Sequence, residues 1–340
     1  MATVINKSVG PIGFGLMGLT WRPEPPPLEQ AIAALKAALA NGMTLWNGGE
    51  FYGTPEYNTM TLLKHYFTRY PEDADKVTLA IKGGANLTTL TVEGGANVTT
   101  FKPDGTPEGI RRSLDNIIHQ LGGTKKLDLF SCARRDPDTP LEVTFGIIQK
   151  EYIDTGKLGA IALSECSANT IHEAAKIAKI GTVEVELSMF TPDILTNGIA
   201  AACAQHGIPI TAYSPIGQGM LAGKFKDISD VQSMGLLSTF PRFEKAAFDH
   251  NLKLVNQVKE LAKEKGCTPA QLAIGWVRSK SNGPGLPKII PIPGATTVAR
   301  VEENAKLIKL TEEDMNKIDS IVESFEVVGE RYPEGIATNT

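Results

Sequence analysis

The chain has 340 residues, 42% of them hydrophobic, enough to bury one large core. Lysine and arginine number 34 against 38 aspartate and glutamate, a net charge of −4, so no basic excess exists to neutralise a phosphate backbone, which argues against nucleic acid as a partner. No run of eighteen apolar residues appears, and no apolar stretch follows a basic start, so neither a membrane span nor a signal peptide is expected.

In chain order, the first candidate strand covers residues 12–15. LEQAIAALKAALANG then reads as an Ala/Leu-rich helix stopped by Gly42. Strands follow at 44–47 and 77–82. The third, VTLAIK, is largely apolar on both faces, as a covered parallel strand should be. Residues 83–101 interrupt the pattern with a near-duplicate, GGANLTT and GGANVTT, eleven residues apart. Two copies do not make a repeat fold, and the sequons at Asn86 and Asn97 count for little without a secretion signal. Thr106 before Pro107 predicts a capped helix start, and residues 128–133 a fourth strand. Thr139 before Pro140 predicts another cap, followed by strands at 159–164, 182–186 and 209–213. Residues 214–248 are glycine-rich and then irregular. Thr268, Pro269 and Gln271 fit a capping box. The last strand covers 288–292, and an irregular tail follows Phe325.

Eight strands joined by helical crossovers point to a parallel sheet. The expected fold is an α/β (β/α)8 TIM barrel, one domain over residues 1–340, with long rim loops after strands 3 and 7 and at the C-terminus. A doubly wound open sheet is the alternative. Cys132, Cys166, Cys203 and Cys267 are far apart, without C-x-x-C or metal-ligand spacing. They read as reduced thiols of a cytoplasmic, and also nuclear, protein with no metal.

Active sites of such barrels form at the C-terminal ends of the strands. Asn47 ends the second strand, and Tyr52 follows five residues later. Lys82 ends the third. A lysine rooted near the core is costly to charge, and burial lowers its pKa, so such residues tend to be used. The other reading is a lysine that snorkels to solvent. Tyr52 is able to donate a proton if a neighbouring ammonium lowers its pKa; alone it reads as a turn tyrosine before Gly53. Together on adjacent strand ends, Tyr52 and Lys82 make a catalytic pair. None of the five histidines falls at an expected strand end, which leaves a histidine base or metal site poorly supported. Gly10, Gly13, Gly15 and Gly18 precede no helix in the manner of a dinucleotide fingerprint.

WNGGEFYG, AIKGG, KKLDLFSCARRDP, GAIALSE, VEVELSMF, AYSPIGQGML and IIPIPGATTVARVEEN occur in this order. The series resembles the strand-end motifs of the aldo-keto reductases over nearly the whole chain. GLMGLTWRP, WNGGEFYG, LDLFSCAR and VEVELSMF resemble the fungal pyridoxal reductase branch more narrowly. The resemblance implies a tetrad of aspartate, tyrosine, lysine and histidine. Tyr52 matches the general acid and Lys82 its activating cation, whereas Asn47 stands for the aspartate and Ala133 for the histidine. Without the aspartate's charge, Lys82 is expected to be more electropositive toward Tyr52 and less rigidly held. Trp21, Glu50 and Ala133 are substrate-pocket candidates, Glu50 having a solvated loop glutamate as its other reading.

For the cofactor, NADPH/NADP+, the resemblance implies that Tyr213 stacks on nicotinamide and that Ser214, Ile216, Gly217 and Gly219 underlie the pyrophosphate. It places Ser164, Glu165 and Glu184 at the carboxamide, and Arg300, Glu303 and Asn304 at the adenosine 2′-phosphate and adenine. Glu165 and Glu184 replace the usual asparagine and glutamine, and a carboxylate accepts but cannot donate. The implied activity is reduction of an aldehyde, pyridoxal to pyridoxine, with the small-molecule aldehyde as partner and a monomer as a sufficient state. The rivals are a broader aldehyde or ketone reductase, and an NADPH-binding regulatory subunit with vestigial catalysis.

Overall fold

The computed structural model describes residues 2–91, 97–223, 225–232, 238–334, 336 and 338–340. An antiparallel hairpin of β1 (Ala2–Val4) and β2 (Lys7–Val9) comes first. Eight strands then form one sheet: β3 (Phe14–Gly15), β4 (Leu45–Gly49), β5 (Thr78–Gly83), β8 (Leu127–Cys132), β9 (Leu158–Ser164), β10 (Ile180–Glu186), β11 (Ile210–Tyr213) and β12 (Ile289–Pro291). Neighbours pair in that order, always parallel. These are the eight strands expected, within a few residues at their ends.

The ring closes between its first and last strands. Gly13 N donates to Pro291 O (2.9 Å), Gly15 N to Pro293 O (3.2 Å), and Gly15 bridges Gly294. A Cβ on Gly13 would lie 2.7 Å from Leu45 O, and one on Gly15 2.8 Å from Ile292 O. These glycines serve the close approach of backbones at the seam, not a dinucleotide. The open-sheet alternative is therefore excluded.

Helices fill the crossovers: α1 (Met17–Thr20), α2 (Leu28–Ala40), α3 (Thr59–Arg69), α4 (Pro107–Leu121), α5 (Leu141–Ile147), α6 (Ala168–Ile177), α7 (Ile199–Gln205), α8 (Ile228–Gln232), α9 (Lys245–Lys265), α10 (Pro269–Ser279), α11 (Val298–Ala305) and α12 (Glu312–Ser324). Gly42 follows α2 with positive φ, as expected. Thr106 accepts from Gly109 N, and Thr268 with Gln271 forms the capping box. Thr139 does not cap. Its hydroxyl donates to Asp136 Oδ2, and α5 starts after Pro140 instead.

The rim loop expected after the third strand is an antiparallel hairpin, β6 (Ala85–Thr91) and β7 (Asn97–Pro103), in which the two near-duplicate segments lie on opposite strands and meet at Thr88–Thr100 and Thr89–Thr99. The start of the second copy, and part of the irregular stretch at 214–248, lie outside the described residues.

Side chains of a strand alternate between faces, and this places the site. Leu45, Ala80, Leu129, Ala162, Ile290 and Ile292 point into the barrel and are covered from below by Ala2, Val4 and Val9 of the hairpin. Their neighbours Trp46, Ile81, Phe130, Ile161 and Leu163 face the helices in the larger core. Two residues further along, the inward positions turn polar: Asn47, Lys82, Ser131, Ser164 and Glu184, all buried. At the opposite end, buried Asp128 accepts from Lys7, Lys125 and Leu79 N, which locks the hairpin to the barrel floor.

Candidate active site

The barrel mouth brings Asn47, Tyr52 and Lys82 together as the sequence implied, and adds Glu184 to them. Register pairs Asn47 with Ala80 and Gly49 with Lys82, so the β4 and β5 side chains meet on the inner face. Lys82 Nζ donates to Asn47 Oδ1 (2.9 Å) and to Glu184 Oε1 (2.6 Å). Asn47 Nδ2 closes the triangle on Glu184 Oε2 (2.6 Å). The Lys82 ammonium lies 5.4 Å from the Tyr52 ring centroid.

Two electrostatic expectations are corrected here. Burial alone would lower the Lys82 pKa, but the Glu184 carboxylate and the Tyr52 oxygen together outweigh it and hold the ammonium above its ordinary value. Burial pushes the Tyr52 hydroxyl up; Lys82 pulls it down, Glu184 adds to the rise, and the net direction is upward. Tyr52 is thus placed as a proton donor rather than as a phenolate. Nor is Lys82 loosely held, since the charge missing at 47 is supplied from β10.

Tyr52 is fixed from several sides. Its carbonyl accepts from Thr20 Oγ1 and Thr59 N, and its ring stacks on Trp21 with centroids 5.0 Å apart. Phe51 packs edge-on against Trp21, Tyr52 and the Phe101 ring of β7, so the hairpin after β5 reaches the mouth. Ala133 is buried beside Gly83, where its N–H donates to Gly83 O. Glu50 accepts from Ser113 and Asn116 of α4, which ties the Tyr52 loop to that helix. Burial pushes its carboxyl above the usual range against those hydrogen bonds.

Across the mouth, beyond β9 and β10, lies a second buried ionic group. Glu165 follows β9 in a left-handed conformation (φ +52°) and accepts from Glu186 N. Arg331, from the tail after α12, donates to both Glu165 oxygens (3.0 Å each), to Glu186 Oε2 (2.8 Å) and to the Tyr213 hydroxyl (2.7 Å). Tyr332 bonds the same hydroxyl at 2.8 Å, and Arg134, next to Ala133, lies over the Tyr332 ring. Arg134, Glu186, Arg331 and Tyr332 were not among the expected site residues. Arg134 and Glu186 stand at strand ends and were findable there; a tail docking across the barrel leaves no periodic signal. Ser164 is buried beneath this group.

Ser214 (φ +50°), Gly217 (φ +54°) and Gly219 (φ +102°) shape the turn after β11 that Ile216 enters. Beyond β12, Arg300 and Glu303 of α11 form a half-exposed pair (2.6 Å), and Asn304 Nδ2 reaches back to Gly294 O. An exposed guanidinium on a helix that follows the last strand fits the phosphate of a phosphorylated dinucleotide. At the other end the Tyr213 hydroxyl and the Glu165 carboxylate, the groups expected near nicotinamide, are both engaged by Arg331. Among the described residues no group of three or more His, Cys, Asp or Glu is placed to hold a metal, and no helix is long and apolar enough to cross a membrane.

Residues 11–323 match the model of the aldo/keto reductase family. The probable pyridoxal reductase 2 of Schizosaccharomyces pombe is 39% identical over 98% of this chain and 97% of its own length. The putative pyridoxal reductase of Saccharomyces cerevisiae is 35% identical over 94% of this chain and 95% of its own. The solved glycerol dehydrogenase of Gluconobacter oxydans superposes with a TM-score of 0.77 at 20% identity, covering 98% and 97% of the two chains, and shares the fold. With its eight-stranded barrel and its buried tyrosine and lysine at the mouth, the chain belongs to the aldo/keto reductase family and is an oxidoreductase similar over nearly its full length to fungal pyridoxal reductases.

Proposed function

We propose that this enzyme reduces an aldehyde with NADPH, and that pyridoxal is the aldehyde and pyridoxine the alcohol. The observation that carries the reaction class is the buried Tyr52 beside the Lys82 ammonium, at the end of the barrel where the inward side chains of five strands turn polar. The dinucleotide, when bound, supplies the hydride. Tyr52 gives its proton to the developing alkoxide, and Lys82 stabilises the phenolate left behind. Trp21 and Phe51 form an aromatic wall that excludes water and suits a planar pyridine ring. Ala133 leaves room beside it.

The choice of pyridoxal is supported by the two fungal relatives, and the choice of NADPH by Arg300. An added phosphate gives Arg300 a dianionic partner in exchange for Glu303, which a free ribose hydroxyl does not. The test is turnover of purified protein with NADPH or NADH and a small panel of aldehydes and ketones. Pyridoxal should give the highest kcat/KM, and Arg300→Ala should weaken NADPH binding far more than NADH binding. Equal losses for the two cofactors would remove the phosphate assignment. A flat response across the panel would replace pyridoxal reductase by a broad carbonyl reductase. No turnover with any substrate, despite tight NADPH binding, would leave the regulatory reading.

A further inference from the structure

Position 184 was expected to face the carboxamide of the cofactor. Its geometry assigns it another task. Both carboxylate oxygens are committed, one to Lys82 at 2.6 Å and the other to Asn47 at 2.6 Å, and all three side chains are buried. The amide orientation of Asn47 follows from this: its oxygen accepts from Lys82 and its nitrogen donates to Glu184.

We propose that Glu184 is the counter-charge that positions Lys82 against Tyr52, so that the carboxylate of the tetrad has changed strands, from β4 to β10, while the ammonium has stayed on β5. The inference rests on Tyr52 being the proton donor. A buried ammonium with only neutral neighbours would tend to lose its proton to desolvation. Asn47 is neutral, and Glu184 is the carboxylate in direct contact. An aspartate at 47 beside Glu184 would set two carboxylates within hydrogen-bond distance, where both cannot ionise freely. Positions 47 and 184 therefore carry one charge between them, and their two departures from the family pattern are one compensated exchange. Two of the three ammonium N–H groups go to Asn47 and Glu184, which aims the remaining charge at Tyr52.

The experiment is a reciprocal exchange: Glu184→Gln, Asn47→Asp and the double variant. Glu184→Gln should lower kcat about a hundredfold with little change in aldehyde KM. It should also move the alkaline limb of the pH–rate profile to lower pH, because the Tyr52–Lys82 pair then loses its first proton sooner. Asn47→Asp should be impaired as well. The double variant should regain kcat to within about tenfold of the parent, together with the parent pH profile. Thermal stability gives a reading that needs no turnover. Each single variant should lower Tm, and the double should restore most of the loss, as expected of two positions that carry one charge between them. Failure of the parent to reduce any aldehyde would defeat the proposed function and leave this stability cycle readable. Glu184→Gln with parental kcat and pH profile, a folded double variant no faster than Glu184→Gln, or additive Tm losses would each overturn the proposal. A rise in NADPH Kd alone would return Glu184 to the cofactor.

Discussion

At the scale of single residues, Tyr52 and Ala133 pose opposite questions. Tyr52 is held by backbone bonds to Thr20 and Thr59 that do not involve its hydroxyl. Tyr52→Phe should therefore keep its fold and its NADPH affinity, yet lose about 10²–10⁴-fold in single-turnover hydride transfer, the usual weight of a general acid. Near-parental transfer would move the proton to another group. Because burial holds this hydroxyl above its ordinary pKa, the donor stays protonated through neutral and mildly alkaline pH. Carbonyl reduction should accordingly show no alkaline decline from Tyr52 below about pH 10. A limb near pH 8 that vanishes in Tyr52→Phe single turnovers would contradict this. Ala133 removes a donor to the carbonyl oxygen. Pyridoxal carries a 3-hydroxyl beside its aldehyde that is able to donate internally, already organised before binding. The 3-O-methyl ether has nearly the same shape without that proton, and its hydride transfer should slow by roughly 10²–10³-fold. Equal rates for the two aldehydes would mean that Arg134 or water donates, and that Ala133 provides space alone.

At the scale of elements, strands and caps were legible because each depends on a few adjacent residues. All eight strands announced themselves as apolar runs, and Thr268 with Gln271 caps α10 as its spacing demands. Thr139 shows the limit of that logic, since a competing acceptor, Asp136, lies in the same short segment and takes its hydroxyl. The N-terminal hairpin escaped because two three-residue strands carry too little periodicity. Asn47, Tyr52 and Lys82 were readable from strand ends, but the partnership of residues 47 and 184, 137 positions apart, was not. Cap chemistry also makes a measurable contribution at α12. Asp314 accepts from Lys265 and from Thr311, which hold its carboxyl at about 2. A depressed carboxyl stabilises the fold above the unfolded value, and that stability fades as pH falls from about 4 toward 2. Asp314→Asn should cost up to about 1 kcal/mol at pH 7, with the Tm gap to the parent closing across that window. A gap independent of pH would mean that packing, not charge, sets it.

At the scale of the whole molecule, the barrel pairs strands that follow one another in sequence, except at the seam of β3 with β12, whereas the tail crosses it from far along the chain. Its path runs from Asn251, which bonds Val328 on both backbone groups, through Arg331, to Thr340, whose N–H meets Glu165 O. The Arg331 contacts span 145 residues to Glu186 and 166 to Glu165. Links of that separation carry a large chain-closure entropy and reward it only once the strands they join are in place. Docking of the tail should thus be a late event in folding, absent from the rate-limiting barrier. On dilution from denaturant, far-ultraviolet ellipticity should recover before the near-ultraviolet signal of the paired Tyr213 and Tyr332 rings does. Arg331→Ala should accelerate unfolding by about tenfold or more while leaving the refolding rate nearly unchanged, the signature of an interaction formed after the transition state. A variant that refolds much more slowly would place the tail in the nucleus. If the late order holds, newly made chains pass through a stage with a finished barrel and an open mouth, and the ionic latch of Arg331 sets how long that stage lasts.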